Sequence, residues 1–153
     1  MRASRRPCWR ALWFPVSYLA HATEEYCFGE TFPAWISRVA QVQFTNSAFL
    51  WLNGIAFVAM LAAAWLANST ERWRPLNVTL AVVVVVNGSA HVVGSVVTAS
   101  YSPGVVTGAS WWLPLGILTL RRSWRELARG RFVAGAAGGL LAHAAVSGIV
   151  LLS

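Results

Sequence analysis

Three stretches without one formally charged residue decide what this chain can fold into. Residues 39–70 make a run of 32, residues 75–120 a run of 46, and residues 132–153 a run of 22. A membrane-crossing helix needs about 20 mostly apolar residues. The runs therefore hold one crossing with a lead-in, two crossings with a turn, and one crossing. Only 11% of the residues are charged and 57% are hydrophobic, whereas soluble domains carry about 25% charged residues. The mean hydropathy is +0.56. A soluble fold of 153 residues could not bury that much apolar surface. A soluble enzyme, a disordered chain and a disulfide scaffold are excluded.

The runs divide into spans at Phe44–Leu66, Leu76–Thr98, Val105–Leu120 and Phe132–Leu152. The turn inside the long run is Ser100–Gly104, where Pro103-Gly104 breaks the helix. An earlier segment, Trp9–Phe28, has an apolar part, Ala11–Ala20, too short to cross alone. It crosses only if His21, Glu24 and Glu25 face protein or water. The expected fold is an all-α polytopic membrane helix bundle of about five transmembrane helices, with residues 1–153 forming one integral membrane domain.

All twelve basic residues are Arg, and the net charge is +7. A sequence pI near 11.1 suggests nucleic acid at first sight. Position overrules that reading. Arg2, Arg5, Arg6 and Arg10 precede the first span. Arg72 and Arg74 lie between spans two and three. Arg121, Arg122, Arg125, Arg129 and Arg131 lie between spans four and five, and Arg38 alone falls on the other side. This is a positive-inside pattern that puts the N-terminus in the cytoplasm, with no nucleic-acid partner. The Arg-only, Ala/Val-rich composition points to a multi-pass protein of a bacterial inner or plasma membrane. Trp9, Trp35, Trp73 and Trp124 fall near span ends, as an aromatic belt does. Pro33–Ala40 reads as a short amphipathic helix on the outer surface, begun at Thr31 or Phe32. Cys8 and Cys27 lie at opposite ends of the first span and cannot pair. A competing reading takes the N-terminal segment as a signal peptide cut after Ala20-His21-Ala22.

Polar groups inside spans should face the bundle interior, because hydrocarbon disfavours them. His21, Glu24 and Glu25 stand at i, i+3 and i+4, on one helix face. Two adjacent carboxylates in such a site need a shared proton or a cation. Asn87 and His91 are i, i+4, with Ser95 next in the row. Gly135, Gly139, His143 and Ser147 are each four apart in the last span, and Gly135-xxx-Gly139 permits close helix approach. Asn46 and Asn53 share a face of the second span. With the N-terminus inside, His21, Glu24, Glu25, His91, Tyr101 and His143 gather toward the outer leaflet from three helices and one turn. Taken singly, Asn46, Asn53 and His143 read more simply as helix–helix hydrogen bonds, worth about 1 kcal/mol each. Tyr101 has an equally plain reading as an interfacial anchor. The Glu24–Glu25 pair beside His21, facing His91, suits proton transfer or a divalent metal.

Three short motifs occur in order: His21-Ala-Thr-Glu24-Glu25, Asn87-Gly-Ser-Ala-His91, and Tyr101-Ser-Pro103-Gly104. Together they resemble the HXXEE family of integral membrane proteins over roughly residues 10–150. The resemblance implies that His21, Glu24, Glu25, Asn87, His91, Tyr101, Pro103 and Gly104 are the family's motif positions. It disfavours cleavage after Ala22, which would split the first motif. It supplies no activity.

The expected function is a membrane-embedded enzyme, acid/base or metal-dependent, acting on a lipid-like or isoprenoid-like substrate. Glu24 or Glu25 is the general acid or base. His21 and His91 bind metal or shuttle protons, Asn87 orients His91 or the substrate, and Tyr101 caps the site. In a metal version, His21, Glu25, His91 and His143 are the candidate ligands for Zn²⁺ or Fe²⁺. The alternatives are an accessory or structural subunit, and an ion or proton transport or sensing protein. A homodimer is one way for so small a bundle to complete its core.

Overall fold

The computed structural model describes residues 9–153. Arg2, Arg5, Arg6 and Cys8 lie outside the described residues, as do the side chains of Trp9 and Arg10. A 3-10 turn, Trp9–Leu12, leads into α1 (Trp13–Cys27). The helices α2 (Phe32–Ala40) and α3 (Asn46–Ser69) follow, then a 3-10 turn at Glu71–Trp73 and α4 (Pro75–Thr98). The last third comprises α5 (Val105–Thr107), a π-helical turn at Gly108–Trp112, α6 (Leu113–Glu126) and α7 (Arg129–Leu151). The fold is all-helical, with no strand among the described residues.

Three helical segments are long and apolar enough to cross a membrane: Asn46–Ser69, Glu71–Thr98 and Arg129–Leu151. They coincide with the expected second, third and fifth spans. Their outward faces carry Trp51, Ile55, Trp65, Val96, Val97 and Leu141, all well exposed, the surface a helix presents to lipid. α1 has 15 residues and α6 has 14, each short of a crossing on its own. α1 nevertheless runs antiparallel along α3. Ala11 and Phe14 share a core cluster with Met60 and Ala64. The Tyr18 hydroxyl donates to Asn53 Oδ1 at 2.5 Å, and the Tyr26 ring stacks on Phe49 at 5.8 Å. Asn53 is thus a helix–helix contact, and Asn46 is exposed at the start of α3.

Helix α4 is the hub on which α3, α6 and α7 pack. Small residues make the close approaches possible. A Cβ on Gly139 would lie 2.7 Å from the Thr79 carbonyl and 2.7 Å from Val82 Cβ. The Thr79 hydroxyl donates to the Gly135 carbonyl at 2.9 Å. On another face, Gly88 meets Gly108, and a Cβ on Gly88 would be 2.9 Å from the Gly108 oxygen. Within the run 82–86, Val82 and Val84 are buried packing.

Local signals set the ends. Thr31 and Thr45 cap α2 and α3, accepting from Ala34 N–H at 3.4 Å and Ala48 N–H at 3.1 Å. Pro75 opens α4, where its missing N–H leaves no bond unmade. The Arg131 guanidinium donates to the carbonyls of Glu71 and Arg72. The 70–74 and 127–131 connections therefore meet at one end of the bundle, as the Arg pattern requires.

Three expectations need correction. Helix formation continues past Leu120 to Glu126, so Arg121, Arg122 and Arg125 lie on a helix and not in a loop. The expected span Val105–Leu120 is interrupted by the π turn, with Pro114 just beyond it. Trp35 is 5% exposed and serves no aromatic belt; its ring packs on Gly94 and its indole N–H donates to Ser100 Oγ at 3.4 Å. Helix α2 therefore folds into the end of the bundle on Pro33 and Trp35. Its outer edge keeps Arg38, which binds Glu30 at 2.6 and 3.1 Å. That guanidinium holds Glu30 below the ordinary carboxylate value.

Candidate functional site

At the end opposite the Arg131 contacts, α1, α4 and the 101–107 segment converge. His21 and Glu25 come from the last turns of α1, His91 from α4; all three are at least 95% buried. His21 Nε2 lies 3.5 Å and His91 Nε2 3.2 Å from the same Glu25 oxygen. The imidazoles meet edge to face at 5.0 Å. Among the described residues these three offer ligand atoms within 4.8 Å of one another.

What lies behind each imidazole fixes its orientation. His21 Nδ1 is 2.7 Å from Thr107 Oγ1. The Thr107 hydroxyl donates its one proton to Glu24 Oε2 at 2.5 Å, because a carboxylate only accepts. Its oxygen must then accept from His21 Nδ1–H. This network assigns the proton of a neutral His21 to Nδ1 and leaves a lone pair on Nε2, facing Glu25. Consistently, His21 Nε2 is a buried atom without a hydrogen-bond partner. A carboxylate acting on the far nitrogen is the usual way of orienting a metal-binding histidine; here Thr107 mediates it. The Trp112 indole stacks on the His21 ring at 3.7 Å, and its N–H donates to Ser17 Oγ at 3.1 Å. His91 Nδ1 is held at 3.1 Å by Ser102 Oγ.

The two adjacent glutamates have parted roles. Glu24 accepts from Tyr101 O–H at 2.5 Å, Val106 N–H at 2.9 Å, Thr107 N–H at 2.7 Å and the Thr107 hydroxyl. The two amides open the helical run after Gly104 and have no intrahelical acceptor, so Glu24 caps that run from another helix. Glu25 faces the two histidines. Tyr101 lies outside the long helices; burial first, and then its bond to Glu24, push its hydroxyl up to about 12.

Gly104 closes the site from the loop. Its φ is +96°, and a Cβ there would lie 2.8 Å from His21 Cε1, 3.0 Å from His91 Cε1 and 3.1 Å from Glu25 Cγ. Only glycine fits both the backbone and the gap. Pro103 and Ser102 beside it are fully buried.

Of the expected site residues, His21, Glu25 and His91 come together, and Glu24 and Tyr101 form the adjoining cap. Asn87 does not pair with His91; its Oδ1 is buried without a partner, and it lines a cavity below His91. His143 lines the same cavity, with Nε2 3.3 Å from Ser147 Oγ, outside the three-residue group. Sequence reasoning missed Thr107, Ser102, Trp112 and Ser17. Thr107 and Ser102 flank the Pro-Gly turn, which was the available signal. The contact of Trp112 with His21 depends on the π turn and has no local signature.

Two of the three separations in this group, those onto Glu25, are in the range of ligands that share an ion. Two ligand atoms each bound at zinc-like distances stand about 3.3 Å apart, close to the 3.2 and 3.5 Å found here. A family profile described as "protein of unknown function with HXXEE motif" matches residues 12–119. Comparisons with curated proteins and with solved structures found no match.

Proposed function

Because the chain belongs to the family of proteins of unknown function that carry an HXXEE motif, we propose that its motif residues form a metal-dependent catalytic centre inside a membrane. His21 Nε2, His91 Nε2 and one Glu25 oxygen would hold a divalent ion such as Zn²⁺ or Fe²⁺, with a further position open to substrate. The observation that carries this reading is the pair of 3.2 and 3.5 Å separations onto one oxygen, with the back nitrogens of both rings already bonded. An ion there would act as a Lewis acid on an oxygen of the substrate. Glu24 has no part in that chemistry beyond positioning His21, because its oxygens already accept four bonds.

The protein is a multi-pass protein of the cell membrane in this reading, with five crossings and the N-terminus in the cytoplasm. α1 makes the first crossing alongside α3, and residues 105–126 make the fourth as one interrupted helical run. The site then lies toward the outer leaflet. The substrate is lipid-like, because the space adjoining the ion site is lined mainly by α3, α4 and α7 residues inside the bundle.

Detergent-purified protein should carry close to one Zn or Fe per chain by mass spectrometry of the elements. His91→Ala removes one of three ligands and should lower metal affinity by more than the roughly 10–100-fold lost with a supporting group, leaving the purified protein largely metal-free. A well-folded, metal-free wild type that also fails to take up added Zn²⁺ or Fe²⁺ would sink the metal centre. It would leave Glu25, poised between two imidazoles, as a metal-free acid/base.

A further inference from the structure

The His–Glu cluster is closed on its loop side. Gly104 lies against both imidazoles and Glu25, Pro103 is buried beside it, and the Phe32 ring of α2 covers His91 at 5.6 Å. What does adjoin the cluster is a cavity of about 480 Å³. Its floor is α4 and its walls are α3 and α7. Those two walls both pack on α4 but have little contact with each other. They are joined at the loop end, where Phe44, Phe49 and Val150 share a cluster and Gln43 N–H donates to the Ser153 carbonyl at 3.2 Å. Away from that join the cavity lies between them.

The lining changes character along this length. His21, Glu25, His91 and Asn87 lie at one end, where His21 Nε2 and Asn87 Oδ1 are buried without partners, and His143 stands on the α7 wall. Farther along stand Val83, Leu80, Ala56, Met60 and Ala63. From His91 to Thr79 the cavity follows twelve residues of α4, about 18 Å at 1.5 Å per residue. Its volume is within the roughly 300–1,000 Å³ that takes one drug-sized ligand, the bulk of a single long hydrocarbon chain. A two-chain phospholipid is too large for it.

We propose that this cleft receives one single-chain lipid with an oxygen-bearing polar end, taken sideways from the bilayer between α3 and α7. The polar end reaches the His21–Glu25–His91 cluster, and the chain lies along α4 toward Thr79. The orientation matches an outer-leaflet lipid, whose headgroup is at the loop end and whose chain points to the bilayer centre. The unpartnered Asn87 Oδ1 then meets the polar end beside the cluster. This inference rests on the membrane-embedded site proposed above. It adds the substrate class and the route of approach, and it holds for a fatty acyl or an isoprenoid chain.

The test is photocrosslinking of the full chain in nanodiscs. The probes are a diazirine-bearing hexadecanoic acid, a diazirine-bearing farnesol and a diazirine-bearing phosphatidylcholine. One or both single-chain probes should label the α3 and α7 walls. Ala59→Phe combined with Ala142→Phe, two exposed positions that line the cleft, should lower that labelling about tenfold, equivalent to about 1.4 kcal/mol of binding. Ala145→Phe, exposed and not lining it, should leave labelling unchanged. Labelling that survives the double substitution, or phosphatidylcholine labelling the walls as strongly, overturns the inference. Cleft-dependent labelling of a protein that binds no metal supports the inference while removing the metal centre. Whether the acid or the alcohol labels more strongly tells acyl from isoprenoid.

Discussion

Glu24 and Glu25 are neighbours in sequence with opposite surroundings, and that contrast gives the sharpest tests at single residues. Glu24→Gln puts an amide NH₂ against backbone and hydroxyl donors, leaving buried donors unmatched at about 1–3 kcal/mol. Its melting temperature in detergent should fall clearly, and a double-mutant cycle with Thr107→Val should be non-additive. Compared in metal-free form, Glu25→Gln should fold and melt nearly like wild type, and it should fail to bind the metal that stabilises the wild type. Equal melting losses for both substitutions would refute the division of roles. Gly104→Ala should do both kinds of damage, since φ +96° strains any side chain and the new Cβ meets both imidazoles. The Tyr101 hydroxyl stays neutral below its ordinary value and is lost as a donor only as pH rises through about 12. The stability difference between wild type and Tyr101→Phe should therefore stay constant from about pH 6 to pH 9. The pairing of His21 with Glu25 at i, i+4 was legible from spacing; Asn87-xxx-His91 put both residues on the cavity but did not pair them, since Ser102 takes the His91 nitrogen. The Thr107 link between Glu24 and His21 was not, because it joins residues 86 apart in sequence.

At the level of elements, the glycines of α7 separate packing from composition. Gly139→Ala pushes a methyl to 2.7 Å from the α4 backbone and should cost about 1–3 kcal/mol by overpacking. Gly148→Ala meets nothing within 4 Å and should be neutral or stabilising by about 0.5–1 kcal/mol, the helix propensity of alanine. Thermal melts of the two variants give the comparison, and a matching loss at Gly148 would mean that flexibility, and not contact, sets the effect. The spacing Gly135-xxx-Gly139 announced a close approach; it could not name α4 as the partner. The 105–120 span was expected from hydropathy alone. Hydropathy says nothing of hydrogen-bond register, so the π turn that brings Trp112 under His21 stayed hidden. Trp35 misled for a related reason: an amphipathic aromatic near a span end has the same sequence appearance whether it faces lipid headgroups or fills the gap beside Gly94.

For the whole molecule, the topology proposed above makes a direct prediction. In a Cys8→Ser background, exposed Cys27 should react with a membrane-impermeant maleimide added to intact spheroplasts. A cysteine at Thr70 should react only after permeabilisation. The reverse pattern would invert the orientation and carry the site to the inner leaflet. Sequence alone determined that the fold is helical, with three helices long and apolar enough to cross a membrane. Long charge-free runs force burial in lipid or in other helices, and Arg placement gathers the connections at one end. Both are one-dimensional properties, because a helix advances a fixed distance per residue and charge is excluded from hydrocarbon wherever the chain goes. Tertiary structure alone decided which polar groups meet. It turned Glu24 away from its neighbour and onto the 106–107 amides, set Gly104 over two imidazoles, left His143 on a cavity wall, and parted α3 from α7. Those outcomes depend on rotation and separation of helices packed on α4, which the close approaches at Gly88, Gly135 and Gly139 determine and no periodicity records.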